Sequence, residues 1–212
     1  MKERLIYNNK KGFTLVELII VLALIAIVLA GIYTFYFFIQ SSYNKNDARS
    51  YTNHQINMVF TQLDRDIRSA SKPNKDTHAV RIVSSKELDI YIYDAKEENY
   101  IRVSYQFIPN SSILQRGWIA CETGIPPSTA NPPYDTIDNW ETIMDGAVEN
   151  TTIKDGGNEK EVTFGFEDIT GSSANDRREI KITLIGNDMN KPLNKPIVAV
   201  KILTSRSRGF PK

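Results

Sequence analysis

A single cysteine, Cys121, stands among 212 residues, so no disulfide can close within the chain and whatever folds must do so on burial and hydrogen bonding. Histidine is almost as scarce. His54 and His78 have no second His or Cys at metal-ligand spacing, and both are read as solvated or structural rather than as ligands. There is no Gly-rich phosphate loop, no nucleophile elbow and no pair of candidate catalytic acids, so neither an enzyme nor a cofactor is expected. The stretch Asp155-Gly156-Gly157-Asn158 lacks the alternating acids and closing glutamate of a calcium loop and reads as a turn. Charge of one sign is missing too. A formal net charge of +1 creates no field that draws in nucleic acid. Lys201, Arg206, Arg208 and Lys212 form a weak basic cluster toward the C-terminus, without an aromatic stacking platform, and DNA is not an expected partner. No internal repeat or low-complexity tract is visible.

Against these absences stands one long apolar run. From Leu18 to Ile39 no side chain is charged, and about 22 residues rising about 1.5 Å each suffice for a hydrocarbon core of about 30 Å. Glu17 sits at the start of this span, where an ionisable group calls for a partner. Cutting the chain between Gly12 and Phe13 would create one, an α-amino group one helical turn away and positive at neutral pH. A secretory signal peptide does not fit, because its apolar core is shorter and its small residues follow the core, whereas Gly12 precedes it. An ordinary signal anchor explains neither Gly12 nor Phe13. Lys2, Arg4, Lys10 and Lys11 against a lone Glu3 orient the N-terminus to the cytoplasmic side and everything after Ile39 to the outside.

Lys11-Gly12-Phe13-Thr14-Leu15-Val16-Glu17, with the apolar run behind it, resembles the type IV prepilin (class III) signal. The resemblance implies that a prepilin peptidase cuts between Gly12 and Phe13 and that Phe13 becomes the N-methylated terminus. It also implies that Glu17 neutralises the amine of a neighbouring subunit during assembly. Expected partners are that peptidase, the cytoplasmic or inner membrane, and other minor and major pilins through the N-terminal helix. The subunit would be a single-pass membrane protein first and extracytoplasmic in a filament afterwards. Residues 63–70, Val103-Ser104-Tyr105 with Leu114-Gln115-Arg116, and residues 179–184 resemble PilW-type minor pilins and J-type pseudopilins, which implies a role in priming or capping assembly. Thr34 lies where many major pilins carry a helix-kinking proline. Two alternatives are a filament-tip ligand-binding module, either adhesin or DNA receptor, and a type II secretion pseudopilus component.

Taken in order, the chain divides into a leader (1–12), a transmembrane and assembly helix (13–39), an amphipathic continuation (40–72) and a β-rich extracytoplasmic part (73–212). Ile56, Val59, Phe60, Leu63, Ile67 and Ala70 recur at spacings of three and four, so one face of the continuation should be buried. Asp64 to Arg68 reads as a solvated charged face with an Asp64–Arg68 pair, and Lys72-Pro73 as the helix stop. Beyond Ala79 the period switches to two. Strands are predicted over 80–83, 88–93, 100–108, 113–116, 162–166, 180–185 and 197–203. The Pro-rich stretch from Cys121 to Trp140 reads as a displayed loop flanked by Trp118, Tyr134 and Trp140, with a short helical turn near 138–144. The predicted class is α+β, a long N-terminal helix packed on a mainly antiparallel sheet.

Overall fold

Leucine, isoleucine, valine and alanine fill the first part of the chain without a proline to interrupt them, and they form a helix, α1, that runs from Leu15 to Arg68. This computed structural model describes residues 12–73, 78–121, 137, 139–155, 157–170, 177–188 and 195–206. The chain falls into two units, Met1–Asn44 and Lys45–Lys212.

In the first unit the large apolar side chains from Phe13 to Tyr43 are exposed, none less than the 43 % of Val21. A water-soluble helix would bury one face of such a sequence; this one buries none. Among the described residues α1 alone is long and apolar enough to cross a membrane. Thr34 does not interrupt it, because its hydroxyl donates to the Ala30 carbonyl at 2.9 Å and so finds its partner within the helix.

The second unit is α+β. Its part of α1 buries Ala48, Thr52, Ile56, Val59, Phe60, Leu63, Asp66 and Ile67. The predicted apolar stripe is therefore the core face, and Ala70 is buried as well. The helix ends earlier than the sequence suggests. It stops at Arg68, and the next residues are captured by a strand. Ala70 bridges Ile92, and the Ser71 N–H donates to the Tyr91 carbonyl at 2.8 Å. A sheet partner for these backbone groups, rather than Pro73, terminates the helix.

Five strands form the larger sheet in the order of the chain: β1 (Val80–Ser84), β2 (Glu87–Asp94), β3 (Asn99–Ile108), β4 (Ile113–Ala120) and β5 (Trp140–Asp145). A two-stranded hairpin follows, β6 (Asn150–Asp155) and β7 (Asn158–Thr163), in which Gly157 takes a φ of 91° at the turn. The third sheet has the order β10-β9-β8, built from β8 (Gly165–Asp168), β9 (Arg177–Gly186) and β10 (Ile197–Arg206). Every pairing is antiparallel. The Phe166 N–H donates to the Ser85 carbonyl at 2.9 Å, which ties the third sheet to the β1–β2 turn of the first.

Three expectations need correction. Residues 140–145 are strand β5, not part of a helical turn. A short run such as Trp140-Glu141-Thr142-Ile143-Met144 carries no period that separates the two, and pairing with β4 decides it. The predicted strand over 162–166 is two strands. Phe164 turns inward between them, buried, with its ring 4.3 Å from that of Phe107 and 5.8 Å from that of Phe166. Strand β6 was not foreseen, since Ile153 is its only large apolar residue. The Pro-rich segment and Tyr134 lie outside the described residues; of its flanks, Trp118 is 43 % exposed. Trp140 and Ile137 crowd onto Gly117, where a β-carbon would stand 2.9 Å from the indole and 2.5 Å from the Ile137 methyl.

Candidate functional site

The helix begins with its own cap. Thr14 accepts the Glu17 N–H on its hydroxyl at 3.2 Å. The Glu17 carboxylate reaches back to the Thr14 N–H at 2.9 Å and the Thr14 hydroxyl at 3.0 Å. The first i to i−4 bond, from the Leu18 N–H to the Thr14 carbonyl, closes at 3.2 Å. This is a capping box, two helix-end donors satisfied reciprocally, and the carboxylate lies at the positive end of the helix dipole. The partner that Glu17 requires thus includes Thr14 of its own chain. The spacing Thr14-Leu15-Val16-Glu17 is a readable capping-box signature, but the sequence reading paired Glu17 only with a future amine and missed Thr14.

Gly12 and Phe13 lie just ahead of the cap, outside the helix and exposed, Phe13 at 81 %. A β-carbon added at Gly12 would have nothing within 4 Å. No close approach among the described residues asks for glycine at that position. Gly12, Phe13 and Glu17 are therefore gathered within one short stretch, at the edge where the coil becomes helix.

A second cluster of charged side chains lies in the Lys45–Lys212 unit, and the sequence misjudged it. Asp66, read as part of a solvated charged face, is 4 % exposed. Its Oδ2 accepts the Tyr105 hydroxyl at 2.7 Å and the Arg116 Nε–H at 3.0 Å, with the second guanidinium nitrogen at 2.9 Å. Arg116 also lies 5.4 Å from the Trp118 ring centre, a cation–π distance. Burial, then the Asp66 charge and hydrogen bond, push the Tyr105 phenol far above its ordinary value, so it is a donor at any working pH. The neighbouring Asp64–Arg68 pair is as expected, 2.8 Å across one helical turn and open to water on the arginine side. The Asp66 network is an internal tie between helix and sheet.

The remaining candidates are placed as follows. His54 is exposed on α1. His78 precedes β1, its imidazole held below the ordinary value by partial burial and by the Arg178 and Lys72 cations. No group of three or more His, Cys, Asp or Glu residues suited to a metal ion occurs among the described residues. Of the basic cluster toward the C-terminus, Lys201 is held in a sheet. It belongs to β10, paired opposite Ile182, and its ammonium lies 5.6 Å from the Phe60 ring centre. Arg208 and Lys212 fall outside the described residues.

Residues 7–33 match the family described as the prokaryotic N-terminal methylation motif. The match contains the Gly12–Phe13 junction, the Thr14–Glu17 cap and most of the aliphatic run. No curated protein and no solved structure matches the chain.

Proposed function

We propose that this chain is a prepilin-like subunit of the minor, assembly-priming kind, cut between Gly12 and Phe13 by a prepilin peptidase, methylated at Phe13 and built into a filament through α1. The observation that carries the reading is the exposed Gly12–Phe13 junction one residue ahead of the capped helix start. A peptidase needs an extended, accessible bond. Among the described residues nothing crowds Gly12, and an uncrowded glycine there suits a segment that is bound from outside. The methylation-motif match over residues 7–33 supports the same assignment. Glu17 then acts in assembly. In the separate subunit its carboxylate is held by Thr14; next to another subunit's free amine it gains a full positive charge as partner, in surroundings where a stranded charge is costly. The minor role rests on the PilW-type and J-type resemblance and on an α1 that runs through Thr34 without a proline kink.

Mass spectrometry of the protein from cells with and without prepilin peptidase tests the reading. An N-terminus at methylated Phe13 is expected only where the peptidase is present. An intact leader in peptidase-positive cells, with the subunit still entering its polymer, overturns it.

A further inference from the structure

The charge-free part of α1 is longer than a membrane core needs, and its surplus has a distinct composition. After Glu17 the next charged residue is Lys45. The 27 or so residues between them rise about 40 Å at about 1.5 Å each, against a hydrocarbon core of about 30 Å. The excess is about the depth of one headgroup layer. The side chains change over that same excess. Residues from Leu18 to Ile32 are all aliphatic or glycine, whereas Tyr33, Phe35, Tyr36, Phe37, Phe38 and Tyr43 crowd the end.

All six rings are exposed, and Tyr36 and Phe37 meet edge to face at 5.8 Å. At about 100° per residue, Tyr33, Tyr36 and Tyr43 share one side of the helix with Gln40, while Phe35 and Phe38 lie opposite and Phe37 stands nearer the tyrosines. A seam for one partner helix would place its aromatics on a single stripe. Rings on every side, with hydroxyls among them, suit a surrounding medium that is apolar at one level and wet at the next.

We propose that Tyr33, Tyr36 and Tyr43, with the phenylalanines between them, form an interfacial collar that binds the phospholipid headgroup layer of the outer leaflet. The collar fixes how deep α1 sits before the subunit enters a polymer. This rests on the reading of the first half of α1 as a membrane span. Depth is held from both ends, by the charged leader and Glu17 on one side and by the tyrosine hydroxyls on the other. A longer hydrophobic helix without the collar could slide or tilt to hide its surplus.

The test is a depth profile of the full-length, uncut chain in vesicles of phosphatidylethanolamine and phosphatidylglycerol. Spin labels are attached to cysteines introduced singly along 24–47 in a Cys121→Ser chain, and collision with oxygen is compared with collision with a water-soluble nickel complex. The two accessibilities should cross between residues 33 and 43. Combined Tyr33→Leu, Tyr36→Leu and Tyr43→Leu should move the crossing toward Lys45 by about one helical turn, about 5.4 Å. A crossing outside 33–43, or one that stays in place in the triple variant, overturns the collar. Labels shielded from both reagents on one side would assign that side to a partner helix and overturn it as well. The outcome is separable from that of the prepilin reading. An uncut leader in cells with a crossing at the collar leaves the collar standing, and correct cleavage with a displaced crossing does the reverse.

Discussion

Replacing Asp66 by alanine removes the acceptor shared by Tyr105 and Arg116. The Arg116 side chain is 14 % exposed, so its charge loses its partner without regaining full hydration. Breaking a buried pair from one side costs about 3–5 kcal/mol, and the stacking of Arg116 on Trp118 with its residual water contact places this case near the lower end. Tyr105 is wholly buried, and its hydroxyl, left without an acceptor, adds about 1–3 kcal/mol. Asp66→Ala should therefore lose about 4 kcal/mol, a fall in Tm of about 8–16 °C for a unit of this size. Thermal and urea unfolding of the full-length protein in detergent micelles, followed by tryptophan fluorescence, measures it. Asp64→Ala is the control. It breaks a pair two residues away whose arginine is open to water, and should cost no more than about 0.5 kcal/mol. Equal losses at positions 64 and 66 would refute the buried-network account. So would failure of the combined Asp66→Leu, Arg116→Met and Tyr105→Phe change to recover most of the loss, because apolar groups in all three places leave nothing unpaired.

Burial raises the Asp89 carboxyl above its ordinary 3.8, with the Ser104 hydroxyl, Arg102 and Arg81 offsetting only part of this. The folded state then holds the proton more tightly than the unfolded chain, so stability falls as pH rises through that interval and the ionisation penalty is complete above the folded value. Asp89→Asn should accordingly gain on the parent as pH rises above the ordinary carboxylate value in urea titrations, and an advantage that shrinks with rising pH would sink the argument. A β-carbon at Gly186 would lie 2.5 Å from the Met144 methyl and 2.7 Å from that of Thr52, so Gly186→Ala should cost about 1–3 kcal/mol, with Thr52→Ser restoring part of it. Unaltered unfolding in Gly186→Ala would show that α1 and β9 are less closely packed than described. Glu17→Ala should leave membrane insertion intact, assayed by carbonate extraction, while filament incorporation drops sharply; normal incorporation would remove the carboxylate from assembly.

Two kinds of reading from the sequence met different fates. Where neighbours along the chain supply the physics, the reading was sound. The stripe Ile56, Val59, Phe60, Leu63 and Ile67 is the core face of α1, and the alternation of Ile101, Val103, Tyr105 and Phe107 places those four side chains on the core side of β3. The Thr14–Glu17 cap belongs to the same class; its spacing was there to be read. Where the decision lay with residues far away, the reading failed. Asp66 looks like its neighbours Asp64 and Arg65 in sequence, and only the register Arg116↔Tyr105 brings a guanidinium and a phenol beneath it. Trp140–Asp145 is strand because β4 is there to pair with it, and α1 ends at Arg68 because β2 takes up the next backbone groups.

By itself the sequence determined that the first part of α1 is a span-length helix, with Gly12, Phe13 and Glu17 set at its beginning. An apolar helix satisfies its backbone within its own turns, and its surroundings demand only length and the absence of charge, both of which are properties of one continuous stretch. Tertiary structure alone decided which charges of the second unit are hidden and where its sheets begin and end. A buried carboxylate or a strand edge is stable only with a partner, and here the partner comes from far along the chain, as Arg116 does for Asp66 and Ser85 for Phe166, by pairings that no local pattern specifies.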